Sequence, residues 1–252
     1  MKLHSFAVLA ALLLHAAIGQ AQTLKVLTAG AVKEVVLAVV PGFEARTAVK
    51  VDVQTDTAGG LVKRIESGQA FDVVVATRAG IDRLAAAGKV DSTTSANVAD
   101  VGIGVGVKEG APLPAIATVE QFKAAVLNAK KVAYIDPASG GSSGIYLDRL
   151  FGQMGIGDAV KAKAVLVPGG LAAERVVSGE ADLVLQQVSE VLSVRGVALV
   201  GMLPDAIQNY TIYAVGLSTQ SATSETARSF VAALIGKEGV EAMQSRKMRP
   251  AR

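Results

Sequence analysis

The sequence predicts an α/β protein of two lobes, with parallel-rich sheets and two crossing hinge strands, on three observations. Short apolar runs alternate with segments of helical periodicity along most of the chain, the pattern of βα units around parallel sheets. Two longer extended segments, VGIGVGVK at 101–108 and YTIYAVGL at 210–217, interrupt that alternation. The 252 residues are 51% hydrophobic, enough for one large or two small domains with a substantial core and incompatible with disorder.

Each element follows in order. Residues 24–27 form a short apolar strand, after which Val32, Val35, Val36, Val39, Val40 and Phe43 recur at helical spacing; Pro41 predicts the end of that helix. Val51-Asp52-Val53 alternates as a strand, Gly59-Gly60 punctuates, and Leu61, Val62 and Ile65 open a second helix. The run Val73-Val74-Val75-Ala76 is apolar on both faces, as a buried parallel strand requires. Strands at 131–135, 164–167 and 182–185 precede a Ser/Gly loop, Pro168-Gly169-Gly170 and Gln186-Gln187. Glycine inside a strand marks a bend or a close backbone approach, so the two long segments are read as crossings between lobes. They divide the chain into lobe I, residues 24–103 and 214–252, and lobe II, residues 104–213. In the tail Ala227, Phe230, Val231 and Leu234 sit at helical spacing and are expected to pack on lobe I.

The first 21 residues carry Lys2, an apolar run over 6–18 and then Gly19-Gln20-Ala21. That is the pattern of a secretory signal peptide cleaved near Ala21, which places the mature chain in the periplasm; the run is short for a bilayer crossing. Both histidines, His4 and His15, lie in this segment, and the chain has no cysteine. Disulfides, thiolate catalysis, Ser-His-Asp triads and Cys- or His-ligated metals are thereby excluded from the mature chain, and no cofactor or metal is expected. Without Lys2, 24 basic groups face 22 acidic ones. The basic residues are dispersed and aromatics are scarce, so no nucleic acid is expected as a partner. GIGVGVK has glycines but lacks the third glycine and the acidic residue of a dinucleotide fingerprint.

Four junctions are rich in small residues: Thr28-Ala29-Gly30-Ala31, Thr57-Ala58-Gly59-Gly60, the Ser139–Gly144 loop and Pro168-Gly169-Gly170. Each would precede a helix N-terminus, where unpaired N–H groups and the helix dipole favour an anion. In open α/β sheets such loops gather outside the carboxyl ends of the strands. The candidate ligand contacts are therefore Thr28, Gly30, Ala31, Thr57, Ala58, Gly59, Gly60, Thr77, Ser139, Ser142, Ser143 and Gly169. Arg64 and Arg78 are the cations best placed for a carboxylate. Adjacent Gln186 and Gln187 at a strand end need partners, either ligand atoms or groups that fix the interlobe hinge. No catalytic residue is assigned; Asp136, Tyr146 and Glu190 lie nearest the expected cleft.

The order of motifs resembles the periplasmic molybdate-binding proteins, the solute receptors of ATP-driven importers. KVLTAGAVKEV, GGLVKRIESGQAFDVVVAT, YIDPASGGSSGIYLDRLF, VVSGEADLVLQQVSE and the helical tail carry the likeness. The resemblance implies the two-lobed periplasmic binding protein fold of type II, monomeric, closing on a small anion and serving an ABC transporter membrane permease. Where those proteins present a serine in the first loop, this chain has Thr28-Ala29-Gly30-Ala31-Val32, their serine-rich second loop is Thr57-Ala58-Gly59-Gly60, and Gln187 aligns with a late tyrosine that reaches the oxyanion. Each lost bond to a charged ligand costs about 1.5–3 kcal/mol, which counts against molybdate. The segments 185–190, 200–205 and 211–213 are also similar to a branch of the family that includes periplasmic aconitate isomerase. That likeness implies an organic polycarboxylate ligand in place of molybdate, and with it the alternative of an enzyme interconverting trans- and cis-aconitate by proton transfer in the same cleft.

Overall fold

Two mixed sheets, each carrying its own helices and its own apolar core, organise the chain in a computed structural model that describes residues 23–221 and 224–251. The signal-peptide reading falls on residues 1–21 and lies outside them. The chain begins β1 (Thr23–Ala29), α1 (Gly30–Thr47), β2 (Lys50–Asp56), α2 (Ala58–Glu66), β3 (Val73–Thr77), α3 (Arg78–Ala86) and β4 (Val90–Val101). It continues β5 (Ile103–Lys108), α4 (Val119–Asn128), β6 (Val132–Ile135), α5 (Ser142–Gln153), α6 (Gly157–Lys161) and β7 (Ala164–Val167). After α7 (Glu174–Val177), β8 (Leu183–Gln187), α8 (Val188–Val191) and β9 (Val197–Met202), it closes with β10 (Thr211–Ser218), α9 (Ser224–Ile235), α10 (Lys237–Ser245) and β11 (Arg249–Pro250).

The first sheet has the order β11-β4-β10-β3-β1-β2 and the second β7-β6-β8-β5-β9. The βα halves pair in parallel, β1 with β2 and β3, and β6 with β7 and β8. The strands next to the crossings pair antiparallel: β10 with β3 and β4, β5 with β8 and β9. The expected α/β class is therefore present, but the sheets are mixed and not parallel-rich: among the described residues four strand pairs are parallel and five antiparallel, because each sheet ends in an antiparallel edge.

The chain leaves the first sheet at Gly102 and returns through residues 203–210. A Cβ at Gly102 would lie 2.5 Å from Met202 Cε and 3.0 Å from Tyr210 Cε1, which is why the outgoing strand needs glycine where the return passes over it. Gln208 imitates a ladder partner there: its Oε1 accepts from Ile103 N at 2.9 Å and its Nε2 donates to Ile103 O at 3.0 Å. The segment expected to cross at 210–217 is instead β10, which lies wholly in the first sheet, so the return precedes Thr211. The outgoing segment 101–108 is likewise split at Gly102, with Val101 closing β4.

Two further differences are physical. The helix expected to stop near Pro41 runs through it to Thr47, because Pro41 stands on the exposed side, whereas Val32, Val35, Val36, Val39 and Phe43 are buried and hold the turn by packing. The twelve-residue β4 has no apolar pattern in the sequence to mark it: its run Val90–Val101 is rich in Ser, Thr, Asp and Asn and pairs β10 through two irregularities. The tail returns as expected, with Phe230 of α9 set edge-on against Phe43 of α1 at a centroid distance of 5.1 Å.

Candidate functional site

The carboxyl ends of β1, β2, β6 and β8 meet around a cavity of about 410 Å³, within the range of small-molecule sites. From the first sheet it is lined by Ala29, Gly30, Ala31, Lys33, Glu34, Asp56, Thr57, Ala58 and Tyr213. From the second come Ile135, Ser142, Ser143, Gly169, Leu171, Gln187 and Glu190.

The helix ends around the cavity fall into two kinds. At α2 and α3 the N-cap threonines complete the first turn, Thr57 Oγ1 accepting from Gly60 N at 3.0 Å and Thr77 Oγ1 from Gly80 N at 3.2 Å. At α1 and α5 the N-caps are Ala29 and Gly141, which have no side-chain oxygen to give. Their first-turn N–H groups, unpaired by the geometry of a helix, belong to Gly30–Val32 and Ser142–Gly144, of which Gly30, Ala31, Ser142 and Ser143 line the cavity. One open end thus comes from each sheet.

Backbone contacts bring the sheets together beside the cavity. Thr57 Oγ1 donates to Ser139 O at 2.6 Å, and Gly59 N donates to Gly140 O at 3.1 Å. A Cβ at Gly59 would stand 2.9 Å from Gly140 Cα, so the contact depends on glycine. Ser189 Oγ donates to Ala31 O at 2.7 Å and adds a second bridge.

The two glutamines are both tied to protein atoms. Gln186 Nε2 donates to Gly170 O at 2.9 Å and its Oε1 accepts from Ala173 N at 3.3 Å, fixing the loop that carries Gly169. In the amide orientation that satisfies both its ends, Gln187 donates to Val101 O at 3.0 Å and Gly102 O at 3.1 Å and accepts from Ser142 Oγ and Thr211 Oγ1. Gln187 therefore touches the cavity, the outgoing crossing and the start of β10 together. The Tyr213 hydroxyl lies 3.0 Å from Ser142 Oγ, so a phenol reaches the cavity from β10 although Gln187 stands where the resemblance implies a tyrosine. Burial raises the Tyr213 hydroxyl far above its ordinary value, and the neighbouring Glu190 adds to the rise.

Charge in the cavity is uneven. Glu34 is paired with Arg246 at 3.7 Å and Asp56 with Arg64 at 3.3 Å. Glu190 is 8% exposed; burial pushes its carboxyl up to about 8, against a hydrogen bond from Gln186 that pulls the other way, so near pH 7 it is mostly uncharged. Half-buried Lys33 makes no ion pair among the described residues. One free cation and two open helix ends outweigh acids that are neutralised or protonated, and the cavity suits an anion.

Of the expected contacts, Gly30, Ala31, Thr57, Ala58, Ser142, Ser143, Gly169 and Gln187 are brought together around this cavity. The other expected contacts stand outside its lining. Buried Thr28 turns its hydroxyl to Ala29 O, and Gly59 and Gly60 are occupied by the bridge and the cap. Ser139 offers its carbonyl to Thr57 and donates its hydroxyl to Asp136 O at 2.7 Å. Thr77 caps α3, and Arg78 pairs with Asp82 at 2.8 Å one turn on. Arg64 is held by Asp56, Gln54 and Gln69. Tyr146 donates to Ile207 O at 2.6 Å in the return crossing, and Asp136 accepts from Ala138 N at 2.9 Å. The cation lining the cavity is Lys33 and not Arg64 or Arg78; its place in the first turn after Gly30 is the sequence signal for it. Tyr213 was hidden in an apolar strand, where only its pairing register, opposite Thr77, brings it to the cleft.

A family model described as bacterial extracellular solute-binding protein matches residues 24–247. An aconitate isomerase from Pseudomonas sp is 32% identical over 234 residues, 90% of this chain and 88% of that one. Among solved structures, the periplasmic molybdate-binding protein of Azotobacter vinelandii superposes with a TM-score of 0.77 at 16% identity, covering 91% of this chain and all of that one. The sulfate-binding protein of Mycobacterium tuberculosis gives 0.73 at 17%, covering 91% and 87%. At such identities these two show a common fold.

Proposed function

The chain belongs to the bacterial extracellular solute-binding proteins, and we propose that it closes on a small organic polycarboxylate in the periplasm, for uptake by an ABC-type permease. The observation that carries this reading is the meeting of two uncapped helix N-termini, α1 from one sheet and α5 from the other, across one cavity beside Lys33, which has no ion pair among the described residues. Positive potential on both sides of the cavity, the α1 end with Lys33 on its first turn and the α5 end opposite, matches carboxylates spaced along a carbon skeleton better than one compact tetrahedral ion. Ala29, Ala31, Ala58, Ile135 and Leu171 supply apolar wall between them, which suits carbon and not oxygen. Because the open ends come from different sheets, a ligand that satisfies both favours the bridged arrangement at Thr57, Gly59 and Gly140, the closed form a permease would engage. The division near Gly102 and residues 203–210 makes those links the hinges of that motion.

A second reading is an isomerase of the aconitate type, favoured by the uncharged carboxyl of Glu190 in the cavity wall and by the name of the 32% identical relative. Calorimetric titration of the mature protein with citrate, tricarballylate, trans-aconitate, molybdate and sulfate tests the first reading. Saturable one-to-one binding of a tricarboxylate is expected; tight molybdate or sulfate binding with none of the carboxylates overturns it.

A further inference from the structure

We propose that Glu190 is the residue that moves a proton between two carbon atoms of an unsaturated polycarboxylate held in the cleft. This rests on the polycarboxylate reading above and adds chemistry to it. Glu190 stands on α8, just beyond the carboxyl end of β8, and is at once in the cavity lining and nine-tenths buried. It faces the open end of α1 so closely that a Cβ at Gly30 would lie 2.5 Å from its Oε1. A ligand carboxylate on the Gly30 and Ala31 amides therefore brings the carbon beside it to this carboxyl.

The neighbouring groups are otherwise engaged. Asp56 accepts from Thr57 N at 2.7 Å and pairs with Arg64, Glu34 pairs with Arg246, and the Tyr213 phenol shares its hydrogen bond with Ser142 and is held protonated by burial. Lys33 carries its charge for the ligand. Glu190 has a hydrogen bond from Gln186 and no ion pair among the described residues, so its proton is free to be exchanged. Burial places that exchange near pH 8, where a carboxyl is basic enough to accept from carbon and acidic enough to return the proton.

In the step, ionised Glu190 takes a proton from the CH₂ that is allylic to the double bond and adjacent to a carboxylate. The C–H electron pair becomes a new C=C bond, and the negative charge spreads over the allylic system and the attached carboxylate. That charge develops where the α1 amides and Lys33 stand. Glu190, whose proton exchanges with solvent, then delivers a proton to the far allylic carbon, the double bond has moved by one position, and Glu190 is again ionised; no oxidant, reductant or co-reactant is consumed.

The test uses mature protein and trans-aconitate in D₂O, with proton NMR for solvent exchange and cis product and calorimetry for binding, on wild type and Glu190→Gln. Wild type is expected to bind, exchange and isomerise, while Glu190→Gln binds comparably and loses exchange by ~100-fold or more. Exchange by Glu190→Gln at the wild-type rate, or a wild type that binds without exchange, overturns this proposal and leaves the binding reading standing. A wild type that binds no polycarboxylate overturns the binding reading, and this one with it. Should Glu190→Gln not fold, the wild-type exchange rate against pH decides: it is expected to rise toward a plateau as one carboxyl ionises, and a flat profile overturns the proposal.

Discussion

Replacing Glu190 by Gln keeps the shape of the side chain and removes its titration, and the consequence for stability is calculable. Burial raises this carboxyl from its ordinary 4.5 to about 8 in the folded chain. The folded state therefore prefers the protonated form, so the stability it confers is complete below pH 4.5 and is lost as pH rises through about 8. At about 1.36 kcal/mol per pH unit, the wild type forfeits about 3 kcal/mol between pH 4 and pH 7, and about 5 kcal/mol by pH 9. Glu190→Gln forfeits none of it. Urea unfolding of both proteins at pH 4.5, 7 and 9 isolates the effect, since all other titrating groups are shared. The variant should match the wild type at pH 4.5 and gain on it steadily above. A stability difference that does not change with pH, or that moves in favour of the wild type as pH rises, would refute an uncharged buried Glu190.

The remaining predictions concern the ligand, the closure and the core. Lys33→Met should weaken tricarboxylate binding by about 1.5–3 kcal/mol, roughly 10- to 150-fold, in calorimetry, whereas Arg78→Met, paired outside the cavity with Asp82, should leave affinity unchanged. Gly59→Ala puts a methyl 2.9 Å from Gly140 Cα; small-angle scattering with saturating ligand should show a more open molecule than the wild type, and equal radii would discount the bridge. Thr57→Val removes the cap on Gly60 and the bond to Ser139, and thermal unfolding should report a loss of about 1 kcal/mol. Phe230→Ala empties the contact with Phe43 and should cost about 3–5 kcal/mol in denaturant unfolding, if the tail is integral to the first core.

Much of the fold was legible because burial on both faces leaves unbroken apolar runs such as Val73-Val74-Val75-Ala76, and amphipathic helices leave their own period. What the sequence hid was whatever tertiary packing overrides. Pro41 is a helix breaker in isolation, yet α1 continues because its buried valines and Phe43 hold the next turn. β4 is polar in sequence, and its pairing with β10 makes it a strand. Glycine-rich loops located the cavity, since Gly30, Ser142 and Gly169 do line it. They did not tell an open helix end from a closed one: Thr57 and Thr77 resemble ligand hydroxyls in sequence and are spent as caps. Nor does sequence show which cations are paired, because Arg64 and Arg78 find acidic partners through the fold while Lys33 finds none among the described residues.

The central claim is that carboxylates seat on the open ends of α1 and α5. Amide chemical shifts in a ¹⁵N-labelled protein titrated with a tricarboxylate test it residue by residue. Gly30, Ala31, Ser142 and Ser143 should shift together and saturate at one equivalent, while Gly60 and Gly80, already bonded to Thr57 and Thr77, should not take part. Saturable shifts confined to other loops, with the α1 and α5 amides unmoved, would contradict it.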